Sequence, residues 1–142
     1  MENKNENVLE KLLRMDAKKI TERPMRTYEV KRLSNIMGTP FVVTLQSIPA
    51  ELYSDIQNES VEIKKGNVSG VNIQKLQFDT VIAGMKDPNL KDKQLLQHFD
   101  ALTPVQLVNK LFIPGEISDM ASIVSELCGF TSQKDVDEET KN

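Results

Sequence analysis

The stretch KLFIPGEISDMASIVSELCGF, Lys110 to Phe130, joins the end of one apolar helix to the whole of a second across a Pro-Gly-Glu break. Ile117, Met120, Ala121, Val124, Leu127 and Cys128 recur at intervals of three and four, so they form one stripe of a helix over about 116–128. Gly129 suits the left-handed position that closes such a helix, and Phe130 is placed to fold back onto Val124. At the break, Pro114 stops the first helix and Gly115 allows the bend. Glu116 then lies at the N-terminus of the second helix, where a negative charge complements the helix dipole. Two helices joined by a short turn with a glycine also have the lengths of a helix-turn-helix. A DNA-reading helix offers Arg, Lys, Asn or Gln to bases and phosphates, whereas this one offers Glu116, Ser118, Asp119, Ser122, Ser125 and Glu126. Those acids would repel a polyanion, so the stretch reads as a rigid corner and nucleic acid is not expected as a partner.

Upstream, Thr103 and Pro104 read as N-cap and first residue of a helix over TPVQLVNKLF, with Val105, Leu107, Val108, Leu111 and Phe112 on one broad stripe. Leu95, Leu96 and Phe99 mark a short helix over 92–99, capped by Asn89 or Asp92. A helix from Val71 to Met85 buries Ile73, Leu76, Val81 and Ile82 and is stopped by Asp87-Pro88. KKGNVSG, residues 64–70, reads as a loop. Pro49 starts a helix over AELYSDIQNES, with Leu52, Tyr53 and Ile56 on one face.

Two runs, MRTYEVKRL and PFVVTLQSI, alternate apolar and polar residues and predict an antiparallel hairpin joined by the turn-rich SNIMGT. A lone pair of strands is marginal in water, so it must lie on the helices or pair with another chain. The first amphipathic helix runs from Val8 to near Ile20 and is broken by Arg23-Pro24. The expected fold is α+β, mainly α: an N-terminal β-hairpin packed on a bundle of about five or six short helices. Residues 1–130 are expected to form a single globular domain with 1–7 frayed. TSQKDVDEETKN, residues 131–142, has one aliphatic residue and reads as a disordered acidic tail.

The chain has 142 residues, enough for one core without staples, and its single cysteine excludes an internal disulfide. No segment approaches the roughly 18–20 apolar residues of a membrane span, and Glu10, Lys11 and Arg14 interrupt any signal-like run. The protein therefore reads as soluble and unexported, with no membrane partner. Charge is uneven: residues 1–32 carry +3, residues 33–86 carry −1 and residues 87–142 carry −5. The mild basicity of the first segment reads as a solvated helix and strand face, and the helical half is the acidic half.

Candidate chemistry is sparse. His98 stands alone in LLQHFD with no oriented partner or nucleophile, and Cys128 lies on an apolar helix face with nothing to depress its pKa. One Cys and one His thirty residues apart do not make a zinc site. Asp87-Pro-Asn89-Leu-Lys-Asp92 departs from a calcium loop at its fifth, sixth and twelfth positions, and helix stop and cap explain these residues instead. No catalytic residue, metal or cofactor is expected.

From Met85 to Phe130 the order of motifs resembles phage tail assembly chaperones of the XkdN-like type. The resemblance rests on Asp87-Pro88, Leu90-Lys91-Asp92, Leu102-Thr103-Pro104, Lys110-Leu111 and Pro114-Gly115-Glu116-Ile117, closed by Gly129-Phe130. It extends less distinctly to VKRLSNIMGTPFVVTLQSIP. It implies a non-enzymatic factor, cytoplasmic in the bacterial host. Such a factor coats the tape measure protein, helps recruit tail tube subunits and leaves before the tail is complete. A structural tail subunit retained in the particle is the alternative, with a small helix-turn-helix DNA-binding regulator behind it. A chaperone for amphipathic helices needs grooves or exposed apolar patches. The candidate partner-binding residues are Leu111, Phe112 and Ile113 at the corner, with Tyr53 and Ile56 as a second group, and self-association is a further expectation.

Overall fold

The computed structural model describes residues 6–130; the tail expected over 131–142 lies outside the described residues. The elements are α1 (Val8–Arg14), α2 (Ala17–Thr21), β1 (Met25–Glu29), α3 (Lys31–Met37), β2 (Val42–Gln46), α4 (Ala50–Ser60), β3 (Val61–Lys64), β4 (Asn67–Val71), α5 (Ile73–Gly84), β5 (Met85–Asp87), α6 (Lys93–His98), α7 (Pro104–Leu111) and α8 (Pro114–Leu127). The fold is mixed α+β, mainly α, as the patterning predicts. β1, β2 and β5 form a sheet in the order β1-β2-β5, and β3 pairs with β4 separately.

The expected antiparallel pairing of the first two strands is present, in a register running from Met25↔Gln46 to Glu29↔Val42. Val43 and Leu45 point into the core at 0% exposure, so the alternation in PFVVTLQSI gives the correct buried face. The link between the strands is corrected. Lys31 to Met37 form a helix, not the end of a strand and a turn, because Val30 and Leu33 are both buried and their spacing of three fits a helix. Gly38 ends α3 at φ +74°, a conformation that favours glycine, and its N–H donates to the Ser34 carbonyl at 2.9 Å. Ser34 Oγ then accepts from the Phe41 N–H at 2.8 Å and closes the excursion.

Two further strand elements depart from the expectation. KKGNVSG is not a loop: Lys65 and Gly66, at φ +54° and +79°, form the two-residue turn of a β3–β4 hairpin. The helix expected to run to Met85 stops at Gly84, and Met85–Asp87 add a short third strand to β2. The expected first helix is two, divided at Asp16, whose carboxylate accepts from the Lys18 N–H at 3.0 Å. Neither α1 nor α2 buries a residue.

The core lies between the sheet and α5, α7 and α8. Leu107, Val108, Met120 and Val124 are fully buried there with Val81 from α5. The caps predicted for α6 and α7 are formed by Asp92 on the Leu95 N–H at 3.0 Å and by Thr103 on the Gln106 N–H at 3.2 Å. Ile73 is corrected: it is 64% exposed, because the buried stripe of α5 runs through Phe78 and Val81.

The tightest approach in the core is between α5 and α8. A Cβ on Gly84 would stand 2.5 and 2.8 Å from the two Val124 methyls and 3.2 Å from the Gln46 carbonyl oxygen. Gly84→Ala is therefore expected to lower unfolding free energy by about 1–3 kcal/mol in urea titrations. The double variant with Val124→Ala should lose less than the sum of the two singles, since the new methyl enters the space that valine vacates. Strict additivity would show that this contact is not the cause.

Candidate functional site: apolar grooves flanking helix α5

The corner of Lys110–Phe130 places the first group of candidate residues. α7 ends at Leu111, Phe112 and Ile113 are extended, and α8 begins at Pro114 with Ile113 as its N-cap. Gly115 thus lies within the first turn of α8 and not in a bend, and the bend falls at Phe112 and Ile113. Adjacent residues of an extended segment point to opposite sides. Phe112 accordingly enters the core at 3% exposure, while Ile113 is 49% exposed and Leu111 is half-buried.

Glu116 fixes this corner. It is only 9% exposed, and its Oε1 accepts the Ile113 N–H at 3.0 Å. That bond is half of a capping box, since isoleucine has no side-chain oxygen to return it. Arg32 of α3 forks onto the same carboxylate, with Nε 3.1 Å from Oε2 and Nη2 2.9 Å from Oε1, and Nη2 also donates to the Leu111 carbonyl at 2.7 Å. Burial pushes the Glu116 carboxyl pKa up, but Arg32 and the Ile113 N–H outweigh it and hold the group below its ordinary value.

The second group, Tyr53 and Ile56, lies on α4. Ile56 is 5% exposed and belongs to the core; Tyr53 is half-buried and stacks on Phe130 with ring centroids 5.1 Å apart. Phe130 therefore meets Tyr53, where the sequence pattern pointed to Val124. This stack borders a depression of about 330 Å³ between α4, α5 and α8, floored by Leu76, Thr80 and Ala121. On the other side of α5, two depressions of about 400 and 420 Å³ share Gln74, Phe78 and Asn109 and form one groove along α7 to Ile113 and Pro114.

The candidate groups are divided: Phe112 and Ile113 line the groove along α7 and Tyr53 lines the depression beside α8, with α5 between them and Gln77 lining both, whereas Leu111 lines neither and Ile56 lines a further depression of about 320 Å³ with Leu52, Ile82 and Leu90. Gln74 and Gln77 went unnoticed in the sequence, and Ile73, which the pattern assigned to the buried stripe, stands outside it. The signal was the stripe Phe78–Val81–Met85, which leaves positions 73 and 77 off the buried face. Elsewhere the chemistry is structural. His98 is exposed and meets the Phe99 ring edge-on at 4.9 Å, and the half-buried Cys128 Sγ accepts the Ile48 N–H at 3.3 Å. Among the described residues, no group of three or more His, Cys, Asp or Glu is placed to hold a metal ion, and no helix is long and apolar enough to cross a membrane.

These features define a small α+β protein whose described surface carries grooves of mixed lining along α5, apolar side chains with amides and hydroxyls and with the charged Lys75, Asp79 and Glu126 at their edges. The chain belongs to the family of phage XkdN-like tail assembly chaperone proteins, which it matches over residues 9–141. Its fold is similar to that in the crystal structure of the protein yqbn, at 18% identity and a TM-score of 0.55 over 75% of this chain and 87% of that one. A comparison with curated proteins gives no match.

The Glu116 fork has a pH signature. Because its folded pKa is depressed, its contribution to stability is fully present above the unfolded glutamate value of about 4.3 and is lost as pH falls through the folded value. Glu116→Gln is expected to cost about 1–2 kcal/mol at pH 7, where the charge-assisted bonds are strongest. The cost should shrink as the pH drops below about 4. Thermal melts of both proteins between pH 7 and pH 3 measure this, and a cost that does not change with pH would contradict the assignment.

Proposed function

We propose that this chain binds amphipathic helical segments of the tape measure protein in the grooves flanking α5 and helps bring tail tube subunits to them during tail assembly. It acts by binding alone, without catalysis or cofactor, in the cytoplasm of the host cell, and leaves before the tail is complete. The observation that carries this reading is the continuous surface from Ile113 across α5 to Tyr53. Large apolar side chains, Ile73 at 64% and Ile113 at 49% exposure, stand beside preformed grooves there. An amphipathic helix laid in such a groove buries its i, i+3, i+4 and i+7 anchors. Tyr53 lines the groove on one side of α5, and Phe112, buried at its base, lines the groove on the other. Gln74, Gln77 and Asn109 supply side-chain amides at the groove edges, which favours reversible over permanent contact.

Co-expression with the tape measure and tail tube proteins of the same gene cluster, followed by affinity purification, tests this. The wild-type chain should carry the tape measure protein into solution as a complex. Ile73→Asp combined with Ile113→Asp should weaken that complex by at least about tenfold at unchanged melting temperature, since both residues are exposed. Co-purification of neither protein would reject the reading. Stoichiometric presence of the chain in purified particles, read by mass spectrometry, would favour a retained structural subunit instead.

A further inference from the structure

The β3–β4 hairpin carries a surface that neither the core nor the grooves use. Val61 and Ile63 alternate with Glu62 and Lys64 and lie opposite Val71 and Val68, so one face of the hairpin is entirely aliphatic. That face is open: Ile63, Val68 and Val71 are 67%, 72% and 52% exposed. A two-stranded hairpin is marginal in water, and three or more strands with an apolar face are needed for independent stability. The hairpin is thus a sheet with strands missing.

The two edges of the hairpin differ. The register shifts between Glu62 and Ile63, which leaves Ser69 of β4 unpaired, and such a bulge disrupts regular pairing along that strand. β3 is regular. The Ser60 carbonyl accepts the Asn72 N–H at 2.7 Å and the Glu62 carbonyl accepts the Ser69 hydroxyl at 3.1 Å, so the even-numbered peptide groups face β4. Period two then leaves the N–H and C=O groups of Ile63 on the open edge, while the Val61 N–H already caps α4 by donating to the Asn58 carbonyl.

We propose that β3 pairs antiparallel with β3 of a second copy of this chain about a two-fold axis at Ile63, giving a four-stranded sheet. The charge pattern selects this occupant. In that register Ile63 meets its own counterpart through two backbone hydrogen bonds, and Glu62 of each copy stands opposite Lys64 of the other. The resulting two cross-strand pairs are both attractive. Neither Glu62 nor Lys64 makes an ion pair with another described residue of its own chain. Only Asn72 separates β4 from α5, so the dimer also joins two sets of α5 grooves into one particle, which raises avidity for a client with repeated helical segments.

Sedimentation velocity on the full chain over a concentration series tests the pairing without any client. The wild type should dimerise. Glu62→Lys and Lys64→Glu should each weaken the dimer by about tenfold or more, because each places like charges opposite one another twice. Mixing the two single variants should restore association. Copies with lysine at both positions then face copies with glutamate at both, and an effect confined to one chain gives no such rescue. A wild type that stays monomeric throughout, or single variants that associate as the wild type does, would overturn the proposal. So would a mixture no more associated than its parts.

Discussion

A single carboxylate, Glu116, holds the corner around which the helices are arranged. Desolvating a charge costs several kcal/mol unless its partners are in place. Here three donors converge on it: the Arg32 Nε, the Arg32 Nη2 and the Ile113 N–H. Arg32 reaches it because residues 31–37 form a helix between β1 and β2. The departure from a simple hairpin and the stability of the corner are therefore one feature seen from its two ends. The same edge of α8 continues the pattern. Asp119 accepts the Tyr28 hydroxyl at 3.2 Å, and Glu126 pairs with Arg26 at 2.7 Å. Exposed pairs of this kind add little free energy individually. Spaced along one helix edge, they set register, since a shift of α8 by one turn would misplace all of them while leaving much of its apolar stripe in contact.

This edge also gives the charge asymmetry of the chain a meaning that a count does not supply. The basic first 32 residues and the acidic last third meet across β1, α3 and α8, so part of each excess is spent within the molecule. The acids that argue against DNA on α8 are largely those contacts. On the opposite side of α8 the fit is steric: Gly84 lets α5 approach Val124 more closely than any side chain would allow. Charged register on one edge and close packing on the other fix the position of α8 against β1, α3 and α5.

How much was legible varies with the kind of signal. The helical stripes of α6, α7 and α8 and the N-caps of α6 and α7 follow from local spacing and capping residues, and the buried face of β2 follows from period two; these were readable from the sequence. α3 was hidden because Tyr28 and Val30 begin a strand pattern that Leu33, one position late, quietly ends. β3 and β4 were hidden because a Lys-Gly turn lacks the usual Asn or Asp, although Val61 and Ile63 do alternate with Glu62 and Lys64. β5, of three residues, is too short for any period, and only its pairing with β2 defines it. Of the candidate site, Leu111, Phe112 and Ile113 were recognisable as a group, but which of them faces outward depends on where α8 begins. The pattern placed that start at Glu116 and the chain places it at Pro114.

The same dependence on long-range packing explains why the grooves themselves could not be read. A groove is a place where neighbouring stripes fail to meet, and failure to meet is a property of three helices together. α5 carries its apolar stripe toward α8, with α4 and α7 beside it, so Ile73, Gln74 and Gln77 at its start project past the layer that buries Phe78 and Val81. α7 lines the groove beside Gln74 with Val105, Gln106 and Asn109 and leaves Ile73 exposed. α1 and α2 bury no residue, with Leu9, Leu12 and Leu13 exposed at 63%, 54% and 77%, so they leave this surface uncovered. Helices this short have little stability of their own in water. The buried core is therefore carried by the sheet and by α5, α7 and α8, and the open apolar surface lies at the start of α5, outside the close packing of its far end on α8.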